Sequence, residues 1–211
     1  KGKAPKELTE DHKKAMRECG VPEWYINSCL KIKYMFPKAH AAAYVIAALR
    51  LGWYKVHEPL AYYAAFFTVR GGDFDAKSAI EGIDSVRRKL ADLKAKGNER
   101  SAKEEEQYTT IQIVNEMMAR GFSFLPVDLY ISDATRYKVE DGKIRLPFCA
   151  LKGLGEAAAQ NLMNAGKEGK YISIDEVTSR AGVSKSVIEL LREAGALNGL
   201  PESSQLTLFD F

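Results

Sequence analysis

Two short glycine turns, each set between helical patterns, constrain this chain more than any other feature. The first is Leu151-Lys152-Gly153-Leu154-Gly155-Glu156. The second, Gly182-Val183-Ser184, follows some thirty residues later. Two glycines around one apolar residue let the backbone reverse sharply while that residue, here Leu154, anchors the turn. The next helix then presents its unpaired N–H groups outward, a geometry that holds a phosphate without reading a base. One such turn is weak, but its repetition with a helix on each side predicts a tandem helix-hairpin-helix module. Its candidate contacts are Lys152, Gly153, Leu154 and Gly155 in the first hairpin and Gly182 and Ser184 in the second. The second has Ser where the first has Gly, and two ordinary helix turns are the competing reading.

The rest of the chain also reads as mainly α. Thr9 caps a helix running to Gly20, Pro22 opens another, and Pro37 starts an alanine-rich helix with a weak point at Gly52. Pro59 opens an apolar helix that Gly71-Gly72 ends. Residues 73–120 hold two more, one carrying Ile80, Ile83, Val86 and Leu90, the other Ile111, Val114 and Met118. The clear strand signal is Tyr137–Glu140 and Lys143–Leu146 around Asp141-Gly142, a type I′ hairpin. Ser173 and Glu176 form a capping box, and Ser184 caps the helix that ends near Gly195. The expected organisation is a helical segment over 1–120, a β-hairpin connector over 121–146, the hairpin module over 147–199 and a tail over 200–211.

Composition excludes several classes. With 46% hydrophobic and 28% charged residues the chain has the balance of a globular protein. No apolar run approaches the roughly 18 residues of a membrane span. Cys19, Cys29 and Cys149 lack CxxC spacing, and His12, His40 and His57 lack zinc-ligand spacing, so free thiols in a reducing cytoplasm and no metal site are expected. The start Lys1-Gly2-Lys3 reads as that of an excised fragment. Net charge is only +3, but from Trp24 to His57 there is no acid among Lys31, Lys33, Lys38, Arg50 and Lys55. That distribution suits a polyanion, and equally a helical pair whose acids lie elsewhere.

Two further motifs carry chemistry. In Phe36-Pro37-Lys38-Ala39-His40-Ala41-Ala42-Ala43-Tyr44, Lys38 sits in the first turn of a helix, where N–H groups and dipole already favour an anion. His40 and Tyr44 are four apart and share a face, so an imidazole and a stacking ring lie together beside small alanines. A small-residue helix packed in a core fits the same spacing. The other motif is Gln205-Leu206-Thr207-Leu208-Phe209, whose apolar groups near a chain end need either a partner pocket or the chain's own surface to cover them.

Together these residues resemble the bacterial DNA polymerase III α-subunit family. The Phe36–Tyr44 motif and Trp53-Tyr54-Lys55-Val56-His57-Glu58-Pro59-Leu60 are similar to its fingers. Val21–Ile26, Lys31–Phe36, Gly121–Phe124 and Asp128–Tyr130 resemble the PolC type of Gram-positive bacteria in particular. The resemblance covers essentially the whole chain and implies the C-terminal part of a DNA-directed DNA polymerase, with residues 1–120 as fingers. It assigns incoming deoxynucleoside triphosphate to Lys38, His40 and Tyr44, primer-template DNA to the hairpins, and a sliding clamp to Gln205, Leu206, Leu208 and Phe209. Asp210-Phe211 extends beyond the usual end of the clamp motif. The catalytic carboxylates and their magnesium ions are expected in a palm domain preceding this segment, leaving no catalytic residue, cofactor or metal ligand here. The alternative is a non-enzymatic helix-hairpin-helix adaptor with a clamp peptide, which accounts for residues 147–211 but not for the acid-free helix before them.

Overall fold

The computed structural model describes residues 8–31 and 37–203, and ten α-helices, two 3-10 turns and three short strands form among them. The chain divides into two compact units, Lys1–Trp53 and Tyr54–Phe211.

In the first unit, α1 (Glu10–Glu18) begins where Thr9 Oγ1 accepts from the His12 N–H at 3.3 Å. Gly20, at φ 77°, turns the chain out of it. The Arg17 guanidinium makes two bonds to Glu23, at 2.8 and 2.9 Å, tying α1 to α2 (Glu23–Lys31), which buries Ile26. The next helix, α3 (Lys38–His57), starts with the Pro37 carbonyl accepting from Ala41 N at 3.1 Å. It passes through Gly52 without a break, because one glycine costs a helix only about 1 kcal/mol.

The second unit is built on α4 (Pro59–Arg70), which sends Tyr63, Ala64 and Phe67 into the core. Phe67 meets Phe74, Phe124 and Tyr137 with ring centroids 5.5 to 5.6 Å apart, mostly edge to face, the arrangement aromatic quadrupoles prefer. The single helix expected around Ile80–Leu90 is two. Gly82, at φ 110° and ψ −178°, separates α5 (Ala76–Glu81) from α6 (Ile83–Ala95). The break leaves Ile80 exposed, while Val86 and Leu93 are buried. A full capping box of Ser101 and Glu104 starts α7 (Ala102–Ala119), whose Ile111, Val114 and Met117 face the core.

The strand signal around Asp141-Gly142 forms β2 (Lys138–Glu140) and β3 (Lys143–Arg145), antiparallel, with Val139 opposite Ile144. Asp141 at φ 49° and Gly142 at φ 74° supply the two left-handed residues of a type I′ turn. A third strand, β1 (Phe124–Leu125), pairs parallel with β3, Phe124 opposite Ile144. At two residues it is too short to show a period in sequence. From there the chain makes a 3-10 turn over Phe148–Ala150 and then α8 (Glu156–Lys167), α9 (Ile174–Ala181) and α10 (Lys185–Glu193).

Candidate nucleic-acid interface

The first hairpin is held from behind. Phe148 N donates to Asp133 O and Cys149 N to Ala134 O, both at 3.0 Å, which ties the 3-10 turn to the segment before the small sheet's hairpin. Leu154 is 5% exposed, and its N–H donates to Leu151 O at 3.0 Å, so it anchors the turn as expected. Gly153 sits at φ 99°, a conformation that favours glycine. Gly155 has an ordinary extended backbone, φ −73° and ψ 157°, at the N-cap of α8. Neither backbone nor packing requires glycine there, since a Cβ would meet nothing within 4 Å. The start of α8 carries no side-chain cap, its surface is open, and Lys152 is exposed beside it. Glu156, at the first position of α8, is the one acid in that first turn.

The second hairpin reaches a similar end differently. Gly182 closes α9 in the left-handed region, φ 61° and ψ 38°, and Val183 N donates back to Thr178 O at 3.2 Å. Ser184 occupies the N-cap of α10, but its hydroxyl does not cap the helix. It pairs with the Ser186 hydroxyl at 2.8 Å. The expected Ser184 cap is thus replaced by a hydroxyl pair at the rim, and the start of α10, with Lys185 exposed beside it, is uncapped as well. The two turns belong to one packed module, since a Cβ on Gly153 would lie 3.5 Å from Leu190 Cδ1 of α10.

Of the other helix starts in this unit, those of α5, α7 and α9 carry side-chain caps and those of α4 and α6 do not. Ser101 Oγ accepts from Glu104 N on α7, and Ser173 Oγ accepts from Glu176 N at 3.2 Å on α9. The box expected at Ser173 is half formed, because the Glu176 carboxylate accepts from Ile172 N at 2.7 Å and also pairs with Arg180. Helices α8 and α10 share the lack of a side-chain cap with α4 and α6, but they alone follow the glycine hairpins, where an open helix start can take an anion. Lys185 adds an exposed cation at the second hairpin that no motif in the sequence marks. Its signal was its place directly after the second hairpin.

On α3 two of the three expected side chains come together. The His40 and Tyr44 rings lie together, centroids 4.5 Å apart and planes at 59°. Tyr44 is 66% exposed, and the alanines beside it are exposed too. Lys38 is the first residue of the helix. Two residues from His40, it is turned about 200° around the axis, so it and the ring pair address different sides of the helix start. Of the cations in the acid-free stretch, Lys55 has a structural partner. Its ammonium pairs with Glu116 at 2.8 Å, a bond that raises its pKa above the ordinary lysine value. Gln205, Leu206, Leu208 and Phe209 lie outside the described residues. Among the described residues, no group of three or more His, Cys, Asp or Glu is placed to hold a metal ion, and no helix is long and apolar enough to cross a membrane.

A helix-hairpin-helix motif family matches residues 121–206, so the small sheet is part of the matched span along with both hairpins. Over 198 residues, 93% of its length, the chain is 49% identical to the DNA polymerase III PolC-type of Streptococcus thermophilus. It is 48% identical over the same share to those of Streptococcus pyogenes serotype M5 and Streptococcus mutans serotype c. It spans 14% of the length of these curated relatives.

Proposed function

We propose that this chain, homologous over nearly all its length to one stretch of PolC-type DNA polymerase III, is the part of such an enzyme that holds primer-template DNA, meets the incoming nucleotide and grips the sliding clamp. The observation that carries the reading is the pair of uncapped helix starts at α8 and α10, each directly after a glycine hairpin within the matched helix-hairpin-helix span. Backbone N–H groups at such starts bond phosphate oxygens of any sequence, as a replicative enzyme moving along its template requires. Lys152 and Lys185, exposed at the two turns, add long-range attraction.

The nucleotide role of Lys38, His40 and Tyr44 is supported by the ring pair and by the lysine at a helix start. A helix apolar on all sides belongs inside a larger core or a membrane. On α3, Tyr44, Val45, Ile46, Leu49, Leu51, Trp53 and Val56 are all at least half exposed. Relatives about seven times longer have the polypeptide to cover it. The catalytic carboxylates and their magnesium ions would lie in that polypeptide, so the isolated chain should extend no primer. Chromosome replication would place the whole enzyme in the bacterial cytoplasm. The match over 93% of the chain disfavours the adaptor reading, which leaves α1 to α7 without a task.

The test is a fluorescence titration of the 211-residue chain against labelled duplexes of unrelated sequence at low salt. Binding should be sequence-blind and fall steeply as salt rises. A chain that is folded by circular dichroism yet binds no duplex at low salt would overturn the proposal.

A further inference from the structure

The chain leaves the hairpin module across the start of α9. The Pro201 carbonyl accepts from Ile174 N at 2.9 Å, and the Glu202 carbonyl accepts from Asp175 N at 3.1 Å. The Glu202 carboxylate pairs with Arg192 of α10 at 2.9 Å. With Ser173 Oγ on Glu176 N, three successive N–H groups of the first turn are taken, two of them by the departing chain itself. The helix between the two phosphate-facing ones is therefore closed to anions and used as an anchor.

We infer that Pro201 and Glu202 form a latch that fixes where the tail leaves the module, so that clamp and duplex are held in one geometry. The inference rests on the clamp reading of residues 205–209. Only Ser203 and Ser204 separate the latch from Gln205. At roughly 3.3–3.6 Å per extended residue, that tether reaches about 7 Å. With the latch open, the tether would begin after Leu200, a partly buried residue packed on the core, and reach about 14 Å. A closed latch thus confines a clamp-bound tail to a small volume beside α9, and confinement is what turns two separate contacts into one strong one.

The test uses the 211-residue chain with twelve glycine and serine residues inserted between Ser203 and Ser204. Calorimetry with free clamp should give the parent affinity, because the binding peptide is unchanged. Affinity for clamp already loaded on primed duplex should fall about twentyfold with the latch closed, as the tether grows from two residues to fourteen, against about eightfold if the tether already began after Leu200. Amide exchange should find Ile174 and Asp175 protected in the parent and fast in a chain ending at Leu200. Unchanged affinity for DNA-loaded clamp, with free-clamp binding intact, overturns the latch and leaves the clamp reading standing. Unprotected Ile174 and Asp175 in the parent overturn it as well. If the parent binds no clamp at all, the clamp reading falls and the inference falls with it.

Discussion

Gly153 and Gly155 belong to the same turn, and the structure predicts opposite consequences for substituting them. Gly153 lies at φ 99°, where an L side chain is strained whatever the space around it. Its Cβ would be only in ordinary contact with Leu190 Cδ1, so Gly153→Ala should cost about 1–2 kcal/mol from the backbone alone. For a domain of this size that lowers Tm by roughly 2–8 °C. Gly155 has φ −73° and open space where a side chain would project. Gly155→Val there loses a favourable N-cap residue but restricts the unfolded chain. The two effects oppose each other and should leave stability within about 1 kcal/mol of the parent. The valine then stands where a phosphate must approach the α8 N–H groups. Losing one charge-assisted bond costs about 1.5–3 kcal/mol, or roughly ten- to over a hundredfold in Kd. Thermal unfolding by circular dichroism and duplex binding by anisotropy read the two effects separately. A Gly155→Val chain that unfolds at the parent temperature and binds duplex like the parent, or an unchanged Tm for Gly153→Ala, would refute this account.

Three other outcomes are expected. In a full-length enzyme, Lys38→Ala should raise the nucleotide KM and lower kcat/KM by roughly ten- to over a hundredfold, with DNA affinity nearly unchanged; steady-state kinetics with varied nucleotide decides it. A peptide of residues 200–211 should bind sliding clamp at about micromolar strength by calorimetry. Replacing both Leu208 and Phe209 by Ala should abolish that heat, and no heat from the parent peptide removes the tail from the clamp. The Glu104 carboxyl is held down to about 2 by its bond to Lys96 and by the Ser101 backbone and hydroxyl. Because the folded value is depressed, its stabilisation is present above the ordinary carboxylate range and is lost as pH falls from about 4.5 to about 2. Carboxyl NMR should show Lys96→Met returning Glu104 toward 4.5, and an unchanged titration would mean the ion pair does not form in solution.

The sequence was most legible where a local rule acts alone. The type I′ turn at Asp141-Gly142, the Thr9 cap and the anchoring Leu154 each follow from a few adjacent residues, and each is found. The reading failed where chemistry has a choice of partners. A serine at an N-cap can bond its helix or its neighbour, and Ser184 takes Ser186. Glu176 reaches Ile172 N in place of Ser173 N, and it shares its carboxylate with Arg180. The two helices around Gly82 read as one because Ile80, Ile83, Val86 and Leu90 keep a helical period across a residue whose φ is invisible in sequence. Strand β1 and the bonds from Pro201 and Glu202 to α9 join residues far apart in the chain, which no local pattern encodes.

Ile26 is the one buried side chain among the described residues of the unit Lys1–Trp53. Fixing each residue of a chain costs about 1–2 kcal/mol of backbone entropy, whereas burying one isoleucine returns about 1.5–3 kcal/mol. Among its described residues the unit therefore buries little to offset that cost. In solution by itself the chain should behave as a stable body from Tyr54 onward, preceded by a stretch that a protease digests first. That stretch carries Lys38, His40 and Tyr44, so on the proposed function the nucleotide contacts would be completed only by further polypeptide, whereas the hairpins sit in the better-packed unit.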